Sequence, residues 1–361
     1  MGTTVDKLNR LINTKEGIRQ EINRAYNAEE ISTSDTFSSY IQKLEEHPYY
    51  IMRYIERSIE SIKLSNVTSI GDYAFSYCSS LTSVSFPVAT SIGTNAFYGC
   101  SGLTSVSFPN VTGISVGAFQ SCSSLTEVSF PNVTVMNSNA FYGCSSLTKV
   151  SFPNVSRIGG NAFYGCSSLT EVSFPEVKSI SSYAFRSCSS LTSVSFPVAT
   201  SIGNYAFSSC SNLTSISFPV VTSIGTQAFS SCSSLPSVSF PLATSIGDYA
   251  FHSCSGLTSV SISEATSIGQ YAFYNCSSLT EVSFPNATSI GQVAFSGCRG
   301  LTTIYVGTNT STVCTLSNTS AFNNCTNLTN IYVPASLVDS YKSATNWSNY
   351  ADKIKATPES S

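Results

Sequence analysis

Charge is scarce in this chain of 361 residues. Asp, Glu, Lys and Arg together make up 10%, against roughly 25% in ordinary globular proteins. The balance of 17 basic and 20 acidic side chains leaves a net charge of -3. There is no basic field for a phosphate backbone, which argues against nucleic acid as a partner. Long hydrophobic runs are missing too. No apolar stretch reaches the roughly 18 residues that a membrane-spanning helix needs. The first 25 residues are charged and periodic where a secretory signal would carry an apolar segment, so none is read there. Asp6 also stands where a myristoylation motif requires Ser or Thr. Localisation stays open on these grounds. Histidine occurs twice and tryptophan once, so any Ser/His/Asp or Cys/His constellation would have to be built around His47 or His252.

What the chain has is a repeat. From Cys78 to Cys298 a cysteine recurs every 22 residues without a slip. The unit reads L-T-x-V-x-F-P-x-V-T-x-I-G-x-x-A-F-x-x-C-x-x, and a fixed period of 20 to 29 residues is the mark of a solenoid. In the copy from Leu81, apolar Leu81, Val84 and Phe86 enclose Ser83 and Ser85, which predicts a short strand buried on one face. Successive strands must stack in parallel. Pro87 follows where it ends a strand without costing a ladder hydrogen bond, and Ala89 and Ile92 point back inside. Gly93 permits a tight bend, and "TNAFYGC" has the spacing of one helical or 3₁₀ turn burying Ala96, Phe97 and Cys100. The register predicts a structural ladder of Phe97, Phe119, Phe141 and Phe163 beside Cys100, Cys122, Cys144 and Cys166.

This unit resembles the leucine-rich repeat, specifically the BspA-like or Treponema-type class, whose coils carry P-x-x-x-x-I-G-x-x-A-F-x-x-C after the strand. The match covers residues 59–334. One departure stands out: Ala89, Val111 and Val133 occupy the position where the general pattern buries Asn or Cys, so no asparagine ladder is expected there. The resemblance implies a right-handed α/β solenoid, here of about twelve 22-residue units with short parallel strands. It implies binding or adhesion, usually on bacterial surfaces, with no catalysis and no cofactor.

The same register reads the ends. Counting back from Val84 and Phe86 places Ile62 and Leu64 in the first coil, and terminal repeats are expected to be atypical. The coil from Leu301 runs 27 residues to Leu328, an insertion that holds "GTNTSTVCTLSNTS". Residues 335–361 are expected to form a helical cap and tail, with Leu337, Tyr341, Trp347 and Tyr350 on its inner face and Trp347 sealing the last coil. Residues 1–58 read as a helical cap or docking segment: Leu8, Leu11, Ile12, Ile18 and Ile22 follow a helical period, Ser34 and Asp35 offer an N-cap, and Pro48 starts a third helix. There "TKEGIRQEI" followed by "DTFSSYIQKL" is similar to helical segments of phage tail and prophage structural proteins of gut bacteria, which implies a second role as a tail or receptor-recognition component.

Chemistry finds few materials. His252 takes the place of Tyr98, Tyr142 or Tyr164 in other copies, which suits a surface substituent better than a general base. Glu127 and Glu171 are two coils apart, roughly 10 Å at the spacing of stacked strands, and Lys149 lies between them. A glycosidase pair needs a shaped cleft and about 5 to 9.5 Å. The cysteines lie within disulfide reach along a stack, but identical side chains in a ladder point parallel, and a one-dimensional row offers zinc no tetrahedron. A reduced structural ladder is expected, with Cys314 in the irregular loop as the most reactive thiol. Recognition must then use variable positions. The strand face shows a flat row of serines. The turn is richer: Tyr98, Tyr142, Tyr164, Arg186, His252 and Tyr274 follow the buried phenylalanine, while Tyr73, Tyr183, Tyr205, Tyr249 and Tyr271 precede the buried alanine. These side chains form the candidate surface for a protein or glycan, and shielding of neighbouring coils is the competing account of the same rings.

Overall fold

The structure, a computed structural model, describes residues 60–358; the helices expected over 1–58 lie outside them. The chain divides into two compact units between Asn154 and Val155, each built on the same coil. In the first unit the strands Ser61–Lys63, Ser83–Ser85 and Ser105–Ser107 form one parallel sheet, and Glu127–Ser129 pairs with Lys149–Ser151 in another. Register is one coil per strand, with Ile62 opposite Val84 and Val84 opposite Val106. A second row of two-residue strands stacks beside it, Ser69–Ile70, Ser91–Ile92, Gly113–Ile114 and Val135–Met136. Apolar side chains at both strand rows face inward, and the chain closes around them.

The second unit repeats this with Glu171–Ser173, Ser193–Ser195 and Ser215–Ser217, then Ser237–Ser239 with Ser259–Ser261. Its last sheet joins Glu281–Phe284, Thr303–Val306, Asn330–Val333 and Ile354–Ala356, all parallel. Between Ser215–Ser217 and Ser237–Ser239 the pairing is interrupted. Pro236 stands there in place of the usual threonine, but the row is interrupted in the same way between Ser105–Ser107 and Glu127–Ser129 and between Ser259–Ser261 and Glu281–Phe284, where Thr126 and Thr280 are present. What the three breaks share is a half-exposed central residue, Val106, Ile216 or Val260, in the strand before them.

Two columns of phenylalanine fill each coil stack. In the turn column Phe97 and Phe119 lie 5.3 Å apart at 2°, and Phe185 and Phe207 repeat that geometry. In the strand-end column Phe86 and Phe108 are 5.4 Å apart, and Phe196 and Phe218 are 5.5 Å apart. These rings have almost no exposed surface. Offset stacking adds about 0.5 to 1.5 kcal/mol per aromatic pair to what burial alone gives.

The thirteen cysteines are all free thiols, and the ladder positions are fully buried. They do more than fill space. The Cys122 thiol donates to the Phe97 carbonyl at 3.1 Å, and Cys144 to Phe119 at 3.1 Å. In the second unit Cys210 donates to Phe185 at 3.2 Å and Cys298 to Phe273 at 3.0 Å. Each of these carbonyls already accepts its own coil's cysteine N–H, as Phe119 does from Cys122. The thiol of the next coil satisfies the second lone pair in a place water cannot reach. Outside, threonine hydroxyls make a parallel ladder: Thr104 Oγ1 donates to the Thr82 carbonyl at 2.9 Å and Thr214 to Thr192 at 3.2 Å. Asparagines after the proline do likewise, Asn110 Nδ2 reaching the Pro87 carbonyl at 2.7 Å and Asn132 the Pro109 carbonyl at 2.8 Å. An asparagine ladder therefore exists, one position earlier than the family pattern has it.

Three expectations are corrected. The "TNAFYGC" segment is a run of hydrogen-bonded turns, Tyr98 N–H to the Asn95 carbonyl and Cys100 N–H to the Phe97 carbonyl, and contains no helix, because two residues of it, Asn95 and Gly99, have positive φ. The expected C-terminal helix is broken into a 3₁₀ turn Ala335–Leu337, a helix Val338–Ser343 and a second 3₁₀ turn Trp347–Tyr350, with Asn346 at φ 68° as the break. Gly93 serves close approach more than bending: a Cβ there would stand 2.6 Å from the Asp72 backbone nitrogen of the preceding coil. Trp347 seals the end as expected, buried against Phe322 and Tyr341 with its Nε1 donating to the Cys314 carbonyl at 2.6 Å.

Candidate binding surface

The turn after each I-G step is a third ladder. In the second coil the N–H groups of Asn95, Phe97 and Gly99 donate to the carbonyls of Val116, Ala118 and Gln120, one coil on. Alternate residues of this ladder, before the alanine and before the cysteine, sit in the left-handed region throughout the repeats. Glycine and asparagine suit that backbone, and it costs other residues on the order of 1–2 kcal/mol. Tyr73, Tyr183, Tyr205, Tyr249 and Tyr271 occupy it nonetheless, at φ 54° to 62°. Backbone preference does not account for tyrosine at these places, so the explanation must lie in what the rings do.

They pair. Tyr183 and Tyr205 stack at 4.7 Å and 8°; Tyr249 and Tyr271 stack at 4.6 Å and 4°. Beside the second pair His252 stacks on Tyr274 at 5.0 Å, and Tyr249 and Tyr271 each stand 5.7 Å from one of them. The Asp248 carboxylate accepts the Gln270 backbone N–H at 2.9 Å and its side-chain amide at 3.0 Å, and Gln292 Nε2 donates on to Gln270 Oε1 at 2.9 Å. Burial pushes the His252 imidazole below its ordinary value, so it is neutral at pH 7. The Tyr249 phenol is raised by burial first and by Tyr271 and Asp248 next.

The candidate residues thus fall into separate groups. Tyr164, Arg186 and Tyr205 come together with Tyr183, and Tyr249, His252, Tyr271 and Tyr274 form another group. In the first unit Tyr98 meets Tyr77 edge-on at 5.0 Å, and Tyr142 stands two coils further along the same column. Stacked pairs turn their inner faces to one another, so hydroxyl tips, outer faces and the neighbouring polar groups are what remains for a ligand. One pair escaped sequence reasoning: Tyr305 and Tyr332 stack at 4.9 Å on the strand face, where Lys355 Nζ donates to Asn330 Oδ1 at 2.5 Å. Its signal was the repeated "IYV" of the last full strands.

Cys314 is not the reactive thiol that its loop position suggested. It is buried beneath Tyr341 and Trp347, its N–H donates to the Tyr341 hydroxyl at 2.8 Å, and burial pushes its thiol up to about 12. Among the described residues no group of three or more His, Cys, Asp or Glu is gathered where it could hold a metal ion. No helix among them is long and apolar enough to cross a membrane.

A coil of this period, a cysteine ladder and variation confined to the outer columns define a leucine-rich repeat protein. The chain belongs to the BspA type leucine-rich repeat family, whose model matches residues 48–170, 134–258 and 244–355. Among solved structures it is similar to a leucine-rich repeat protein from Bacteroides ovatus, at 25% identity over 82% of this chain and 92% of that one, with a TM-score of 0.53. It is also similar to a leucine-rich cell surface protein from Faecalibacterium prausnitzii, at 29% identity over 83% and 92%, with a TM-score of 0.49. No curated protein matches it.

Proposed function

We propose that this protein is a non-enzymatic binding scaffold that recognises a protein or glycan at a bacterial surface through the tyrosine-bearing columns of its turns. The observation that carries the reading is the placement of tyrosine in left-handed backbone at Tyr183, Tyr205, Tyr249 and Tyr271. The stacking gained by a pair, about 0.5 to 1.5 kcal/mol, roughly offsets the backbone cost and leaves little net stability to explain the residue choice. Family membership supports the scaffold role: the constant letters of the repeat build core and ladders, and only outer columns vary. Residues 1–58, on which a phage-tail role would rest, lie outside the described residues. The test is capture on glycan and protein arrays by the purified chain and by a Tyr249→Ser, Tyr271→Ser double variant. Loss of at least ten-fold in capture is expected, and undiminished capture removes this column from the binding face.

A further inference from the structure

The first tyrosine group contains a cation without a counter-charge. The guanidinium carbon of Arg186 lies 5.3 Å from the centre of the Tyr205 ring and 5.7 Å from those of Tyr164 and Tyr183. Ser208 follows Arg186 in the same column and is small enough to leave this room. The rings remove water from the guanidinium; its Nε is enclosed and has no acceptor. Among the described residues no carboxylate lies within the 4.0 Å of an ion pair with Arg186. A guanidinium carries five N–H donors in a planar fork. Nε is the enclosed, unpartnered one, and the terminal amino groups, with no hydrogen-bond acceptor among the described residues, keep solvent access. Partial desolvation strengthens what such a cation gains from an anion, and a planar fork held between rings is pre-organised for two parallel hydrogen bonds.

The surroundings narrow the anion. Along the column before the alanine the tyrosine pair is flanked by Asn161 on one side and Gln227 on the other, both partly exposed, and Gln227 Nε2 donates to the Tyr205 hydroxyl at 3.0 Å. Ser182 and Asn204 add further uncharged polar groups. These are amides and hydroxyls suited to sugar hydroxyls, and no exposed apolar side chain stands among them to hold a peptide. The single cation suits one negative group. We propose that Arg186, with Tyr164, Tyr183, Tyr205, Asn161 and Gln227, forms a site for an acidic sugar, the carboxylate seated on the guanidinium fork and the sugar hydroxyls on the flanking amides. This rests on reading the turn columns as the binding face.

The probe is trigalacturonate, titrated calorimetrically into the full chain at low salt, with its methyl ester as the neutral twin and tetraglutamate as the acidic peptide. Trigalacturonate should bind, and the ester and the peptide should each bind at least ten-fold more weakly. Arg186→Met should lose at least ten-fold, and Arg186→Lys, which keeps the charge without the planar fork, should lose several-fold. Equal affinity for acid and ester, equal affinity for tetraglutamate, or no effect of Arg186→Met would each overturn the site. If Arg186→Met fails to fold by circular dichroism, the ester comparison and Arg186→Lys still decide. The two readings fail separately. Array capture lost in the Tyr249→Ser, Tyr271→Ser double variant together with equal binding of trigalacturonate and its ester would sink the acidic-sugar site alone, whereas undiminished capture by the double variant together with no binding of trigalacturonate would sink both.

Discussion

At the scale of single residues, the cysteine is the informative letter. Free cysteine packs as a small hydrophobe, and an alanine or valine would serve that purpose. The recurring thiol bond to the preceding coil's phenylalanine carbonyl gives a reason for sulfur. An S–H···O contact is weak and second-order, and is fairly invoked where the same geometry recurs, as it does from Cys100 to Cys325. The two accounts rank substitutions at Cys144 in opposite order. If the thiol only fills space, Cys144→Ala is better tolerated than Cys144→Ser, which buries a hydroxyl. If its hydrogen bond to Phe119 matters, serine keeps a donor and alanine leaves a buried lone pair empty. We expect Cys144→Ala to cost about 1–2 kcal/mol and serine about 0.5 kcal/mol less, measured by urea unfolding. A serine variant less stable than the alanine one would remove the hydrogen bond from the explanation.

At the scale of the coil, backbone ladders hold neighbours together, and the strand row is interrupted at Pro236 as it is at Thr126 and Thr280. The substitution Pro236→Thr would return an N–H beside the Thr214 carbonyl, but Thr126 and Thr280 have that N–H and their strands are unpaired with the coil before, so the break between Ser215–Ser217 and Ser237–Ser239 should persist. Without a regained bond, the unfolded-state entropy that proline had removed returns and lowers stability by about 0.4–1 kcal/mol. A urea midpoint that falls slightly without a change in slope is the expected outcome; a rise would show that Pro236 alone breaks the pairing. The coil was legible in sequence to the extent that it depends on inside and outside. The 22-residue register, the inward Leu81, Val84, Phe86, Ala89 and Ile92, and the sealing role of Trp347 all follow from apolar placement and its period. The turn was not legible in the same way. A-F-x-x-C has the apolar spacing of a helical turn, and the left-handed signal was spread over Gly, Asn, Ser and Tyr in different copies. Cys314 was misjudged because its cover, Tyr341 and Trp347, comes from a segment later in the chain. For the candidate site, column membership could be counted from the sequence. The gathering of Tyr164, Tyr183 and Tyr205 around Arg186 depends on side-chain reach between coils and needed coordinates.

At the scale of the whole molecule, the buried thiols tie stability to alkaline pH. Burial raises Cys144 and Cys210 from 9.0 to about 12, and Cys254 and Cys325 likewise; Cys122, Cys188, Cys232 and Cys276 are also raised well above 9.0 by burial first. The sign follows from proton counting. Below pH 9 both folded and unfolded chains keep their thiol protons and these groups leave stability unchanged. Between pH 9 and 12 the unfolded chain releases protons that the folded coils hold, so stability falls with pH by about 1.4 kcal/mol per unit for each such thiol. About five of them acting together would remove roughly 7 kcal/mol per pH unit, comparable with the whole stability of an ordinary domain. The circular dichroism signal should therefore hold to about pH 9 and be lost by about pH 11. Thiolate ultraviolet absorbance should appear together with that loss, Cys325 in the last coil included, since burial raises it to about 12 as well. Thiolate absorbance developing fully near about pH 9 while the dichroism persists would mean that the ladder is open to solvent, and would overturn its assignment as the sealed interior of the coils.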